Sequence, residues 1–332
     1  MFKAFIAGCA GLALSREERA FFADARPWGL ILFRRNVENP AQIRALTEEF
    51  RGIVGAGAAV LVDQEGGRVQ RLSAPHWPLY PAAARFSAWP DGEALAELSA
   101  RLMAADLLRV GIDVDCLPVL DVPVDGAHDV IGDRAYARAP DEVARFGAAA
   151  ARGLLRGGVM PVMKHIPGHG RACADSHLEL PAVSADRAEL ERDFAPFRAN
   201  SGLPAAMTAH VVYEALDPAA PATQSRMVIE TIVREAIGFD GLLMSDDLSM
   251  KALTGSFVER TRKCFEAGLD LALHCNGDLA EARAVAEAAP ELSGKALRRV
   301  ERARARVAVE RARGAQHFDA AGARRRLAAA VA

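Results

Sequence analysis

The stretch Val159-Met160-Pro161-Val162-Met163-Lys164-His165-Ile166-Pro167-Gly168-His169-Gly170, continued by Asp175-Ser176-His177, decides how this chain is read. Its first five residues are an apolar run that predicts a buried strand. The strand gives way at once to a glycine-rich loop that gathers a cation, three imidazoles and a carboxylate. Three of the chain's eight histidines fall between residues 165 and 177, so the density is local. Strand followed by polar, glycine-rich loop is the way an α/β barrel presents its chemistry.

Working outward, similar short apolar runs recur with helical stretches between them. Eight are found, at about 3–8, 28–34, 58–63, 112–117, 158–164, 203–209, 241–246 and 269–274. Amphipathic segments at 39–52, 92–110, 140–156, 186–199 and 227–237 separate them. Asn39-Pro40 and Ser184-x-Asp186 are start signals, and Gly111, Gly157 and Gly238 are stops. Eight such units predict an α/β fold, a (β/α)8 TIM barrel. Residues 278–332 read as closing helices, so that 1–332 forms a single domain. The runs also end in polar groups: Asp63-Gln64-Glu65, Asp121, Lys164-His165, His210, Asp246-Asp247 and His274-Cys275-Asn276. A doubly wound open sheet is the alternative, but Gly8-Cys9-Ala10-Gly11 after the first strand lacks the phosphate-binding spacing of that fold.

With 41 basic and 43 acidic residues, net charge −2, there is no electrostatic case for a nucleic-acid partner. Arg298-Arg299 and Arg324-Arg325-Arg326 lie at helical spacing among alanines and acids, as on solvated helix faces. Cys9, Cys116, Cys173, Cys264 and Cys275 form no CxxC pair, which fits a reducing compartment. Lys3 and the apolar residues up to Cys9 faintly resemble a lipoprotein signal, but the run is shorter than the roughly 7–15 residues of a signal core. The segment reads as the first strand. A cytoplasmic monomer without membrane contact is expected.

Two chemistries suit the polar ring. His165, His169, His177 and Asp175 could ligate a metal that activates water, as in amidohydrolase-type barrels. Pro167, Gly168 and Gly170 argue against the helix that would put His165 and His169 on one face. The other chemistry is metal-free and cofactor-free acid/base and nucleophilic work at an acetal centre. Asp175 and His177, with a serine between them, can form a carboxylate–imidazole pair that shuttles a proton at neutral pH. In Ser245-Asp246-Asp247 one carboxylate at the barrel mouth can act as nucleophile, while Asp247 suits a turn before the next helix. A sugar-binding barrel without catalysis is a third reading.

These residues carry a family resemblance. Val62-Asp63-Gln64-Glu65-Gly66-Gly67-Arg68-Val69-Gln70-Arg71, Lys164-His165-x-Pro167-Gly168-His169-Gly170, Asp175-Ser176-His177, Met207-Thr208-Ala209-His210 and Ser245-Asp246-Asp247-Leu248-Ser249-Met250 resemble the motifs of the bacterial β-N-acetylhexosaminidases of glycoside hydrolase family 3, NagZ type. The resemblance runs in order along essentially the whole chain. It implies a barrel enzyme that removes terminal β-linked N-acetylglucosamine from cytoplasmic cell-wall fragments carrying 1,6-anhydro-N-acetylmuramic acid, during peptidoglycan recycling. It further implies Asp246 as nucleophile, His177 as general acid/base with Asp175 as its partner, and Asp63, Arg71, Arg134, Lys164 and His165 as sugar-binding residues, with no metal. Arg171-Ala172 departs from the Asp-Thr that often follows the Gly-His-Gly of such loops.

The assignment is coherent physically. A histidine as acid/base avoids setting a second anion beside an oxocarbenium-like centre, where it would have to be kept protonated by burial. Lys164, Arg71 and Arg134 supply charged donors, and Asp63 can accept from two adjacent hydroxyls. Gly168 and Gly170, with small residues at Ala172 and Ala174, predict a loop over 168–178 that opens and closes.

Overall fold

The fold follows from eight short apolar runs that each need a neighbour on both edges and a helix on one face. In the computed structural model, which describes residues 1–176, 178–314 and 318–331, they become β1 (Lys3–Gly8), β2 (Pro27–Leu32), β3 (Ala59–Val62), β4 (Val114–Asp115), β5 (Met160–Ile166), β6 (Ala205–Thr208), β7 (Leu242–Asp247) and β8 (Leu271–His274). All pair in parallel with their sequence neighbours, and β1 pairs with β8, which closes the barrel. Side chains alternate as the pleat requires. Ala4 and Ile6 join an inner cluster with Leu61, Val162, Met207 and Met244, whereas Phe5 and Ala7 join the outer one with the helices.

The helices begin where local hydrogen bonding favours it. In α1 (Arg16–Ala25), Ser15 and Glu18 cap each other's backbone, and in α5 (Arg187–Ala199) Asp186 and Glu189 do the same. Asn39 caps α2 (Pro40–Val54), with proline at the first helical position. α3 (Gly92–Arg109) is followed by Gly111 in the left-handed region, and α4 (Pro140–Gly157) runs through the expected stop, Gly157, to end on left-handed Gly158. The 227–237 segment is helical, but over Val228–Ala236 it forms a π-helix, whose wider turn a short amphipathic window does not distinguish from α. α6 (Phe257–Ala267), α7 (Leu279–Ala288), α8 (Gly294–Gly314) and α9 (Ala320–Val331) complete the described α-helices; α8 packs on α4 and α9 on α3. No described helix is long and apolar enough to cross a membrane.

Two local departures aim the chemistry. The pairing register shifts between Met163 and Ile166 in β5 and between Met244 and Asp247 in β7. Such irregularities re-aim side chains at barrel rims. Consecutive residues, Lys164 with His165 and Asp246 with Asp247, thereby line the same cavity. After β3 the chain makes a small antiparallel hairpin, Gln64–Gly66 with Val69–Gln70, turning through Gly66 and Gly67 at φ of 90° and 56°.

Candidate active site

At the C-terminal ends of the strands lies a cavity of about 400 Å³ lined by Asp63, Glu65, Arg71, Arg134, Lys164, His165, His169, Asp175, Ser176, Asp246 and Asp247, among others. Every site residue expected from sequence lines it except His177, which lies outside the described residues.

Its floor is an ion cluster. Lys164 Nζ, on a side chain 3% exposed, sits 2.7 Å from Asp63 Oδ1 and 2.6 Å from Glu65 Oε1. Arg71 Nη2 donates to Asp63 Oδ2 at 3.0 Å, and its guanidinium stacks over Phe33. Arg134 holds Glu65 in a fork, Nε to Oε2 and Nη2 to Oε1, both 2.8 Å, and Nη1 donates to the Val130 carbonyl at 3.1 Å. Burial alone would push both carboxyls up. Lys164 with Arg71 outweighs it at Asp63, and Lys164 with Arg134 at Glu65, so both are held below the ordinary carboxylate range. Reciprocally, burial would lower the Lys164 ammonium, but the two carboxylates hold it above its ordinary value.

Above this floor, Asp121 follows β4 fully buried and organises two histidines. Its Oδ2 lies 2.7 Å from His165 Nδ1, and its Oδ1 accepts from the His169 backbone N–H at 2.6 Å. Burial pushes the Asp121 carboxyl up, but His165 and His169 reverse this and keep it low. An ionised Asp121 fixes the proton of His165 on Nδ1, leaving Nε2 as the other hydrogen-bonding nitrogen. The rings of His165 and His169 meet edge-on with centroids 5.7 Å apart, and their bonded nitrogens go to different partners, Asp121 and Ser176. Among the described residues no group of three His, Cys, Asp or Glu is arranged to hold a metal ion.

At the end of β7 the two aspartates divide. Asp247 is tied into a turn: Oδ1 accepts from the backbone N–H groups of Ser249 and Cys275 at 3.0 Å each, and Oδ2 from Ser249 Oγ at 2.5 Å. Asp246 Oδ1 accepts from the Asp247 N–H at 2.8 Å. Behind them His210 bonds Thr223 Oγ1 at 2.8 Å and the Asp247 carbonyl at 3.1 Å, a structural part for a strand-end histidine. His274 likewise turns to Glu281, at 3.0 Å.

The base of the 168–178 loop is fixed by close packing and by hydrogen bonds to neighbouring elements. A Cβ on Gly170 would stand 2.0 Å from the Val122 carbonyl oxygen, so glycine is there for close packing. Tyr213 donates to the Gly168 carbonyl at 2.7 Å, and the His128 N–H to that of Ala172 at 2.9 Å. Arg171 Nε reaches Asp193 Oδ2 on α5 at 2.6 Å. The Arg171-Ala172 departure thus gives this segment a clamp, and residues 168–172 are anchored. Sequence reading marked Glu65 and Asp121 only as polar residues after strands, and left Ser176 without a role. The partners of Glu65 and Asp121 lie 69 and 44 positions away, where no local signal announces them, whereas Ser176 meets His169 only seven residues upstream, within the loop itself.

The family model described as "Glycosyl hydrolase family 3 N terminal domain" matches residues 6–309. A β-hexosaminidase of Methylococcus capsulatus is 44% identical over 275 residues, covering 80% of each chain. The crystal structure of NagZ from Neisseria gonorrhoeae in complex with N-trifluoroacetyl-D-glucosamine is 34% identical, with a TM-score of 0.87 over 99% of this chain and 98% of that one. A glycoside hydrolase family 3 β-N-acetylglucosaminidase from Paenibacillus sp. str. FPU-7 is 33% identical, with a TM-score of 0.82; the match covers 94% of this chain and 61% of that longer one.

Proposed function

We propose that this chain, which belongs to glycosyl hydrolase family 3 and is a NagZ-type β-hexosaminidase, is a retaining exo-β-N-acetylglucosaminidase that cleaves terminal N-acetylglucosamine from 1,6-anhydro-N-acetylmuramic acid fragments of peptidoglycan. The observation that carries the reading is that Asp246 and the Asp63–Lys164–Glu65–Arg134 cluster line one cavity with Asp175. At about 400 Å³ the cavity is near the small end of the ~300–1,000 Å³ range of ligand clefts, which favours one sugar ring and hence exo action. That a relative was crystallised with N-trifluoroacetyl-D-glucosamine supports the same sugar here.

In this reading Asp63 accepts from adjacent sugar hydroxyls while Lys164, Arg71 and Arg134 donate, and Nε2 of His165 faces the ring. A carboxylate oxygen of Asp246 bonds to the anomeric carbon as its bond to the leaving oxygen breaks, and His177 gives that oxygen its proton. Water then gives a proton to His177 and adds to the anomeric carbon, releasing Asp246 with net retention. Asp175 orients the imidazole and stabilises its charged form. The whole chain acts as one barrel domain, a cytoplasmic monomer.

An aryl β-N-acetylglucosaminide tests this. Release of the phenol is expected to survive EDTA, and proton NMR is expected to show the β-anomer of the sugar first. Loss of activity with EDTA and its return with zinc would favour the metal reading, and an α-anomer formed first would exclude a covalent step on Asp246.

A further inference from the structure

His169 stands in the signature stretch, yet the reaction above gives it no step. Its backbone N–H donates to Asp121 Oδ1 at 2.6 Å, the carboxylate that also holds the His165 ring. Its side chain is buried, with Nε2 3.1 Å from Ser176 Oγ and no hydrogen-bond partner for Nδ1 among the described residues. Burial, helped by the neighbouring His165, pulls the imidazole down to about 4, so at neutral pH it carries one N–H and one lone pair. With the proton on Nε2, the single N–H meets Ser176 and only a lone pair at Nδ1 lacks a partner among the described residues; with the proton on Nδ1, a buried N–H would lack one, the rarer arrangement in folded proteins. Ser176 is itself buried, lines the cavity and is bonded in the chain to both Asp175 and His177. Its carbonyl accepts from the Ala252 N–H at 3.3 Å.

We propose that His169 is a positioning residue that donates from Nε2 to Ser176 Oγ and so ties the Asp175-Ser176-His177 segment to the Asp121 anchor that orients His165. The inference rests on the assignment of His177 as acid/base. Because Ser176 is bonded in the chain to both Asp175 and His177, the proposal makes proton transfer depend on this hydrogen bond, whereas Asp246 stands on β7 and does not. A displacement of about 1 Å is enough to cost on the order of 10²-fold in rate.

External azide separates this role from a merely structural one. Azide needs no base to attack the glycosyl-enzyme: a C–N bond forms at the anomeric carbon as the C–O bond to Asp246 breaks, releasing the free carboxylate and a glycosyl azide. With a 2,4-dinitrophenyl β-N-acetylglucosaminide, whose leaving group departs without a proton, His169→Ala and Ser176→Ala are each expected to slow turnover by about 10–10²-fold. Azide is expected to restore most of that loss and to yield the glycosyl azide. His169→Gln, which keeps a donor near the Nε2 position, should retain most of the rate, and the double alanine variant should be no slower than the slower single one. Wild-type rates in both single variants, additive losses, or losses that azide leaves in place while it restores His177→Ala would overturn the inference. If His169→Ala does not fold, Ser176→Ala breaks the same bond by removing one oxygen and decides the matter. Failure of azide to restore His177→Ala would count against the acid/base assignment itself and remove the inference with it.

Discussion

Lys164→Met removes the ammonium from between two buried carboxylates and leaves a side chain of similar length. In the wild type Nζ lies 2.7 Å from Asp63 and 2.6 Å from Glu65, with all three side chains at most 14% exposed. At an effective dielectric constant of about 20, each contact is worth roughly 6 kcal/mol before desolvation and repulsion from Arg134 are subtracted. Breaking such a buried pair from one side costs about 3–5 kcal/mol in practice. At about 2.1 cal/mol/K of unfolding entropy per residue, 332 residues give roughly 0.7 kcal/mol/K, so Tm should fall by about 4–7 °C at neutral pH. The sign with pH follows from the carboxyls. Both are depressed in the folded wild type, so the stability they contribute is present above about pH 4 and is lost as pH falls through their folded values. Without Lys164, burial carries them upward and the variant accepts protons sooner. The stability gap between the two proteins should therefore be widest near pH 7 and narrow as the pH falls toward about 4. Calorimetry across that range checks it, and a Tm within about 1 °C of wild type, or a gap indifferent to pH, would refute the reasoning.

Asp246→Ala is expected to lower kcat by about 10⁴-fold or more, and Asp247→Asn by much less, since Asp247 is occupied in a turn; reversal of the two effects in steady-state assays would move the nucleophile by one residue. Asp121→Asn weakens charged hydrogen bonds worth about 1.5–3 kcal/mol, so kcat/KM should drop about 10–10²-fold with the fold retained, and an unchanged kcat/KM would deny Asp121 its hold on His165. Gly170→Ala would drive a methyl against the Val122 carbonyl and should destabilise by about 1–3 kcal/mol in urea unfolding, whereas a true hinge would lose rate without losing stability.

The barrel was legible because hydrophobic runs and polar strand ends recur in step, and each of the eight runs overlaps a strand. The 112–117 run keeps ladder pairing only over Val114–Asp115. There a side chain intrudes: Asp115 Oδ1 accepts from the Gln64 backbone N–H at 3.0 Å, replacing backbone partners that a strand pattern assumes. The cluster residues Asp63, Arg71, Arg134 and Lys164 could be listed from motifs, but not how they pair. Glu65 meets Arg134 across 69 positions, and Asp121 meets His165 across 44. A glycine is ambiguous for a related reason, since Gly170 looks the same in sequence whether it must bend or must leave room for Val122.

In the proposed function, the ion cluster on the cavity floor also decides where the entropic cost of recognition falls. Arg71, Arg134, Lys164, Asp63 and Glu65 hold one another without a sugar present, so their rotamer freedom is given up when the chain folds. A ligand meets donors and acceptors already aligned and spends little of its binding energy on ordering them. Affinity for the sugar ring is thereby separated from whatever ordering the reaction demands of the residues that move the proton, and a ligand shaped only to the ring gains the first without incurring the second.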